Sequence, residues 1–459
     1  MPHSWRRRQF LLTGMSGVLG LSLPRLLAAQ AQTTGRAARA RNVLVILEQG
    51  GLSHIDTWDP KPDVVAEHRS PHRPISTSVP GMQLSALLPR TARLAHKIAV
   101  VRSMHHSKPG ANGHPDGTQY VLSGSHPRGP LEMPDIGSIT THLLGTTCPF
   151  LPPYIMVPGN HEQAAETRNG FLPASTRVFK TGGQDLANPG WRVNNLLPYS
   201  DNTGPRFHQR RWLLANVDAG YARPVGGMER FYEQAGDILG SPRVASVFNL
   251  GNEPQPVRDL YGRGHRGACY LMGRKLIEAG VRFVTVDVRW PFTPDLPGGF
   301  DLNWDHHDYI YTSGSCGTER IAAGGEGRYG IGHWVMMGST DHAFAGLIED
   351  LDQRGLLNET LVCFVTEFGR TPRLNRFQGR DHWTDAYSIV FAGAGVPGGQ
   401  VIGRSDRDGG YVADQPHTPE DYAATIYEKL GIDRQRPIHT SSHRPVYFGH
   451  GGEPIRQVL

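Results

Sequence analysis

The chain has 459 residues, a formal charge of +5, 56 glycines and 35 prolines. Residues 1–31 hold four arginines and no acid, so the remainder is close to neutral and lacks the charge footprint of a nucleic-acid or membrane-surface binder. The four cysteines (Cys148, Cys269, Cys316 and Cys363) form no C-x-x-C pair and are too sparse for a disulfide scaffold.

In chain order, the first feature is Arg6-Arg7-Arg8-Gln9-Phe10-Leu11-Leu12, followed by a short apolar stretch from Met15 to Leu27 and then Ala29-Gln30-Ala31. This order describes a twin-arginine secretory signal over residues 1–31 with cleavage near Ala31. The apolar core falls short of the roughly 18–20 residues a membrane span needs, and no later segment supplies them. The expected location is therefore periplasmic or extracellular, reached through the twin-arginine export machinery, with no integral membrane segment after cleavage. That route carries folded proteins, which suits a cofactor loaded before export.

Residues 32–459 read as one domain, without internal repeat or low-complexity linker. Val43–Leu47 is a short buried strand, and Leu84–His96 has helical spacing that Pro89 is expected to interrupt. Ile98–Arg102 reads as a strand, Thr118–Ser123 as a helix ending at Gly124, and Tyr154–Val157 as a strand. Regular patterning is lost over residues 160–223, taken as a loop-rich insertion. Helices are expected at Met228–Leu239, Pro256–Tyr261, Ala268–Ala279 and Trp334–Gly355. Strands are expected at Val281–Val288, Leu361–Thr366 and Ser388–Ala392. Pro419–Leu430 is a helix with Thr418 as its N-cap and Gly431 past its end. This alternation predicts an α/β fold: three layers, α/β/α, around a mainly parallel sheet.

In such sheets chemistry collects at the carboxyl ends of strands. Three constellations stand there. The first runs from Glu48 through Asp56 and Asp59 to Lys61. The second is Asn303-Trp304-Asp305-His306-His307-Asp308. The third joins Glu367-Phe368-Gly369-Arg370-Thr371-Pro372 to Gly379-Arg380-Asp381-His382-Trp383. Oxygen and imidazole donors together suit zinc, manganese or calcium. Neighbouring arginines suit an oxyanion such as phosphate or sulfate. Any one Asp-His pair in a glycine-rich loop is more commonly a turn-former, and Asp56 or Asp59 could cap a helix. Three strand ends presenting the same chemistry favour a site. A fourth segment, Ser103–Gly129, brings His105, His106, His114 and Asp116 between a strand and a helix amino terminus, where free backbone N–H groups attract anions.

The phrases G-G-x-S-H-x-D-T-x-D-P-K-P (Gly50–Pro62), Y-G-R-x-x-x-G (Tyr261–Gly267), L-I-E-A-G-V-R-F-V-T-V (Leu276–Val286), W-D-x-H (Trp304–His307), E-F-G-R-T-P and G-R-D-H-W resemble one bacterial family, domain of unknown function 1501. The resemblance runs from about residue 41 to about 433. The family is grouped with sulfatases in the alkaline phosphatase-like superfamily. The resemblance implies that the acid closing the first strand, here Glu48 beside Gln49, binds metal. It further implies that Asp305 and His307 form a ligand pair, that Glu367 keeps an acid where Phe368 replaces an imidazole, and that His382 closes the site. The sulfatase nucleophile motif C/S-x-P-x-R is missing. Ser123-Gly124 matches the end of the helix that follows it, and counting back puts His114 at the nucleophile position.

The resulting expectation is an exported hydrolase of a small-molecule or polysaccharide phosphate or sulfate ester. Glu48, Asp56, Asp305, His307, Glu367 and His382 would hold one or two divalent ions. His114 would be nucleophile or extra ligand, and Arg370 or Arg380 would grip the substrate's oxygens. The competing expectation is an inactive sulfatase-like binding protein of the cell envelope.

Overall fold

Every residue of Asn42–Leu47 (β1) is buried, so the strand must present apolar side chains to both faces of its sheet. In the computed structural model, Val43, Val45 and Leu47 point into one core and Leu44 and Ile46 into another, as the two-residue period of a strand requires. The structure describes residues 39–159, 167–182, 185–191, 193, 209, 212–213, 241–288, 302–312, 329–449 and 451–459.

Eight strands form the central sheet. After β1 come β2 (Ile98–Met104), β3 (Tyr154–Pro158), β4 (Phe179–Lys180), β5 (Phe283–Asp287), β6 (Thr360–Val365), β7 (Tyr387–Ala392) and β8 (Gln400–Ile402). Their spatial order is β8-β2-β7-β6-β1-β5-β3-β4. All neighbouring pairs are parallel except those of β7, which runs antiparallel to both β2 and β6. The sheet is thus mainly parallel, with β7 reversed because the chain returns directly from the hairpin at the site.

Helices cover both faces. On one side lie α1 (His114–Ser123), α2 (Ile136–Leu144) and α5 (Pro419–Lys429), contributing Val121, Ile136, Ile139, Tyr422 and Ile426 to the core that holds Val43 and Val45. On the other lie α3 (His265–Glu278) and α4 (Ser339–Gln353), which bury Leu271, Leu276, Phe344, Leu347 and Ile348 against Leu44 and Ile46. The three-layer α/β/α expectation holds. The expected N-cap of α5 also holds: the Thr418 side chain accepts from the Asp421 amide while Asp421 accepts from the Thr418 amide.

Three expectations change. Pro89 does not interrupt a helix; it opens the short helix Pro89–Arg93, where its missing N–H costs nothing. The stretch before that helix instead pairs as the small strand Gln83–Ser85 with Pro74–Ser76. The stretch Trp334–Gly355 begins as a π-turn over Trp334–Gly338 before α4 proper. Within residues 160–223, Phe179–Lys180 adds edge strand β4 to β3, so part of that segment belongs to the sheet. The helix expected at Met228–Leu239 lies outside the described residues, as do the signal segment and Cys316. Cys148, Cys269 and Cys363 are buried and unpaired. Among the described residues, no helix is long and apolar enough to cross a membrane.

Candidate metal centre

The register of β5, β1 and β6 aligns Asp287, Leu47 and Val365, so the loops after these three strands start at one level. The loop after β1 turns at Gly50 and Gly51, which have φ of +105° and +68°. A Cβ at Gly50 would lie 2.3 Å from the Trp304 nitrogen, so only glycine lets the segment carrying Asp305 come this close. The loop after β6 delivers Glu367 and Phe368, then a two-residue hairpin pairs Arg370 with His382. Helix α1 begins at His114, opposite that hairpin.

Four side chains converge on Oδ1 of Asp305. The Nε2 atoms of His307, His382 and His114 lie 2.9, 3.0 and 3.2 Å from it, and Nη2 of Arg370 lies 2.7 Å away. His307 Nε2 and His382 Nε2 are themselves 3.0 Å apart. His114, Asp305 and His382 each offer a ligand atom within 4.8 Å of the others. Tetrahedral ligands about 2.0–2.1 Å from zinc are separated by about 3.3 Å, so these spacings are those of a ligand shell drawn slightly inward.

The outer nitrogens decide which way the lone pairs point. Nδ1 of His114 faces Glu367 Oε1 at 2.6 Å, Nδ1 of His307 faces Asp381 Oδ1 at 2.9 Å, and Nδ1 of His382 faces the Asn112 carbonyl at 2.6 Å. An acceptor at Nδ1 fixes the proton there in the neutral ring and turns the Nε2 lone pair inward. Three inward lone pairs facing a carboxylate repel one another unless a cation or protons lie between them. His114 is the imidazole whose affinity for a proton this site raises. Burial opposes its charging, but the Asp305 and Glu367 carboxylates outweigh burial and raise its pKa. Burial likewise works against ionised Asp305, yet the contacts with His114, His307 and His382, which donate once those rings are protonated, and the charge of Arg370 hold its carboxyl well below the usual range. Glu367, buried but bonded to His114 and the Gly50 amide, is depressed to about 2. Burial lowers His382. Phe368 closes the floor, with ring centroids 5.2 Å from His114 and 4.6 Å from His382.

The site therefore gathers His114, Asp305, His307, Glu367, His382 and Arg370, and leaves three expected residues elsewhere. Both oxygens of Glu48 are taken by the Arg266 fork at 3.1 and 3.2 Å, with Tyr270 and the Trp304 indole donating at 2.8 Å each. Asp56 is equally consumed, by Arg380, Ser53 and Tyr311. Arg380 spends its donors on Asp56, Tyr311 and the carbonyls of His68, Thr371 and Pro372. A guanidinium has five N–H groups and no more. Arg380 thus cannot grip a substrate, and Glu48 and Asp56 have no lone pair turned toward an ion. Arg370 is saturated in the same way, by Gly50 O, Gly51 O, Arg380 O, Asp305 and His307. Glu367 stands behind His114 rather than at the centre, since Gly50 N and Thr366 Oγ1 occupy its remaining acceptor positions.

Sequence reasoning missed Asp381 and Arg266. Asp381 sat inside the G-R-D-H-W phrase beside His382, a signal that was present but unassigned. Arg266 gave none, because its partnership with Glu48 spans 218 positions of chain.

The fold and site define a three-layer α/β protein with a candidate metal centre at the carboxyl ends of its central strands. The family described as "Protein of unknown function (DUF1501)" matches residues 40–459, and the chain belongs to it. No curated protein matches the sequence. Among solved structures, it is similar to a protein of the alkaline phosphatase superfamily from Vibrio parahaemolyticus, at 11% identity and a TM-score of 0.39, covering 99% of this chain and 80% of that one. The lipoteichoic acid synthase LtaP from Listeria monocytogenes also has 11% identity and a TM-score of 0.39, with coverage of 87% and 74%. The phosphonate monoester hydrolase SpPMH from Silicibacter pomeroyi has 10% identity and a TM-score of 0.39, with coverage of 91% and 76%.

Proposed function

We propose that the protein is a metal-dependent hydrolase of a phosphate or sulfate ester, acting after export from the cytoplasm. The observation that carries this reading is the convergence of His114, His382 and Asp305, each imidazole held from behind by an acceptor at Nδ1. Mixed imidazole and carboxylate donors of this kind suit zinc or manganese better than calcium, which prefers oxygen alone.

In this reading His114, His382 and Asp305 hold the ion, and His307 stands beside them with its Nε2 facing Arg370. A bound divalent ion supplies Lewis acidity to an ester oxygen and acidifies a water at neutral pH. The chain's own residues do the rest. Glu367 and Asp381 orient His114 and His307, Arg370 keeps Asp305 ionised, and Phe368 excludes water from the floor. A proton favoured at His114 is displaced when an ion binds, because ligands must be deprotonated. The glutamate contact at Nδ1 holds the His114 ring with Nε2 turned toward the ion position.

A second reading is favoured by one observation. Because Arg370 and Arg380 have no spare donor, neither can clamp an oxyanion, which fits a metal-bearing binding protein. Elemental analysis of purified protein, beside an Asp305→Ala/His382→Ala double variant, tests the centre. Near-stoichiometric metal in wild type and loss in the variant is expected. Metal-loaded protein then hydrolyses at least one member of a panel of phosphate and sulfate esters. Metal without turnover on any ester would favour the binding reading, and absence of metal after incubation with zinc, manganese or calcium sinks both.

A further inference from the structure

Arg370 is fully buried and meets one acid, Asp305, through a single nitrogen, while its other donors turn to backbone carbonyls and His307. Its Nε donates to Gly51 O at 2.9 Å, Nη1 to Arg380 O at 2.9 Å, and Nη2 to Gly50 O and to Asp305 Oδ1 at 2.7 Å; His307 Nε2 lies 3.4 Å from Nη1. Three backbone carbonyls and a carboxylate around one positive centre are the oxygen shell that a hard divalent cation takes. The left-handed conformations of Gly50 and Gly51 go with the turn that presents two of those carbonyls. A Cβ on Gly51 would come within 3.0 Å of the guanidinium.

The surrounding charge points the same way. Glu48 is neutralised by Arg266, and Asp305 and Glu367 are the buried carboxylates in direct contact with His114 and Arg370 at the centre. One divalent ion together with Arg370 leaves the cluster modestly positive, a state that an anionic substrate completes. Two divalent ions beside Arg370 would leave several uncompensated positive charges in a buried site, which costs far more than ligation returns.

We infer that Arg370 is a fixed internal cation occupying a second metal position, so that the centre takes one divalent ion and no more. This rests on the metal-centre reading above. Guanidinium in place of a second ion holds Asp305 in position through its 2.7 Å contact whether or not the first ion is present.

The test is metal stoichiometry and affinity, read by elemental analysis and calorimetric titration with zinc and then calcium, on wild type, Arg370→Ala and Arg370→Gln. The glutamine variant keeps side-chain bulk without charge and serves if the alanine variant does not fold, with circular dichroism reporting folding. Wild type is expected to bind one ion per chain. Whichever folded variant is measured is expected to take a second ion, filled by calcium at millimolar concentration, while its first zinc weakens about 10–100-fold as for loss of a supporting contact. Two ions in wild type would overturn the inference while leaving the metal centre intact. One ion in wild type and one in a folded variant would overturn it equally. No ion in wild type removes both the centre and the inference.

Discussion

At the residue scale, the contrast between Glu48 and Asp305 shows how burial with partners separates structure from site. Both are acids that follow or adjoin strand ends. Glu48 receives a bidentate guanidinium, a phenol and an indole, so every lone pair is answered from within the protein. Asp305 receives three imidazoles whose outer nitrogens are already engaged, a geometry better answered by an ion. Glu48→Gln is accordingly expected to destabilise the fold by about 3–5 kcal/mol, since it leaves Arg266 charged, buried and unpaired. Its metal content per folded molecule should equal wild type. Denaturant melts and elemental analysis read the two quantities separately, and loss of metal with unchanged stability would restore Glu48 as a ligand.

At the element scale, α2 sets an acid where water does not reach. Asp135, just before Ile136, is 1% exposed, accepts from the Arg168 amide at 3.0 Å and lies against the Tyr154 hydroxyl. Burial pushes its carboxyl up to about 8. A raised acid is protonated in the folded chain after the unfolded chain has lost its proton. Stability is therefore unaffected below the unfolded pKa near 4 and falls as pH rises from there toward 8. The slope is at most about 1.4 kcal/mol per pH unit. Asp135→Asn, which keeps the acceptor for Arg168, should match wild type near pH 3 and exceed it increasingly toward pH 8. Denaturant midpoints across that range measure it, and parallel curves for the two proteins would refute the neutral acid.

At the scale of the whole molecule, the centre is a tie between distant parts of the chain. His114 opens α1 on one face, Asp305 follows β5, and His382 lies on the hairpin between β6 and β7. An ion that binds this arrangement and not the unfolded chain stabilises by about 2.7 kcal/mol at a hundredfold excess over its Kd. Thermal melts with a chelator and with saturating zinc should then differ by a few degrees, the holo form melting higher. Identical melts would mean that the ligands do not meet an ion in solution.

The sequence by itself determined the layers. The continuous apolar runs at Val43–Leu47 and Leu361–Val365, and the alternating helices between strands, required a parallel sheet covered on both sides, because such strands bury both faces. It also determined where chemistry would collect, since acids and histidines followed those runs, and the family phrases brought Asp305, His307, Glu367 and His382 to notice. Tertiary structure alone decided which of these residues meet. Glu48, Asp56, Arg370 and Arg380 have the same side chains as true ligands and clamps; only their distant partners reveal that their lone pairs and donors are spent. Sequence spacing records which groups lie near in the chain, whereas ligation depends on which lone pairs remain unanswered after folding. Arg266 reaching Glu48, Glu367 reaching His114 and Asp381 reaching His307 are contacts that only the assembled sheet could make.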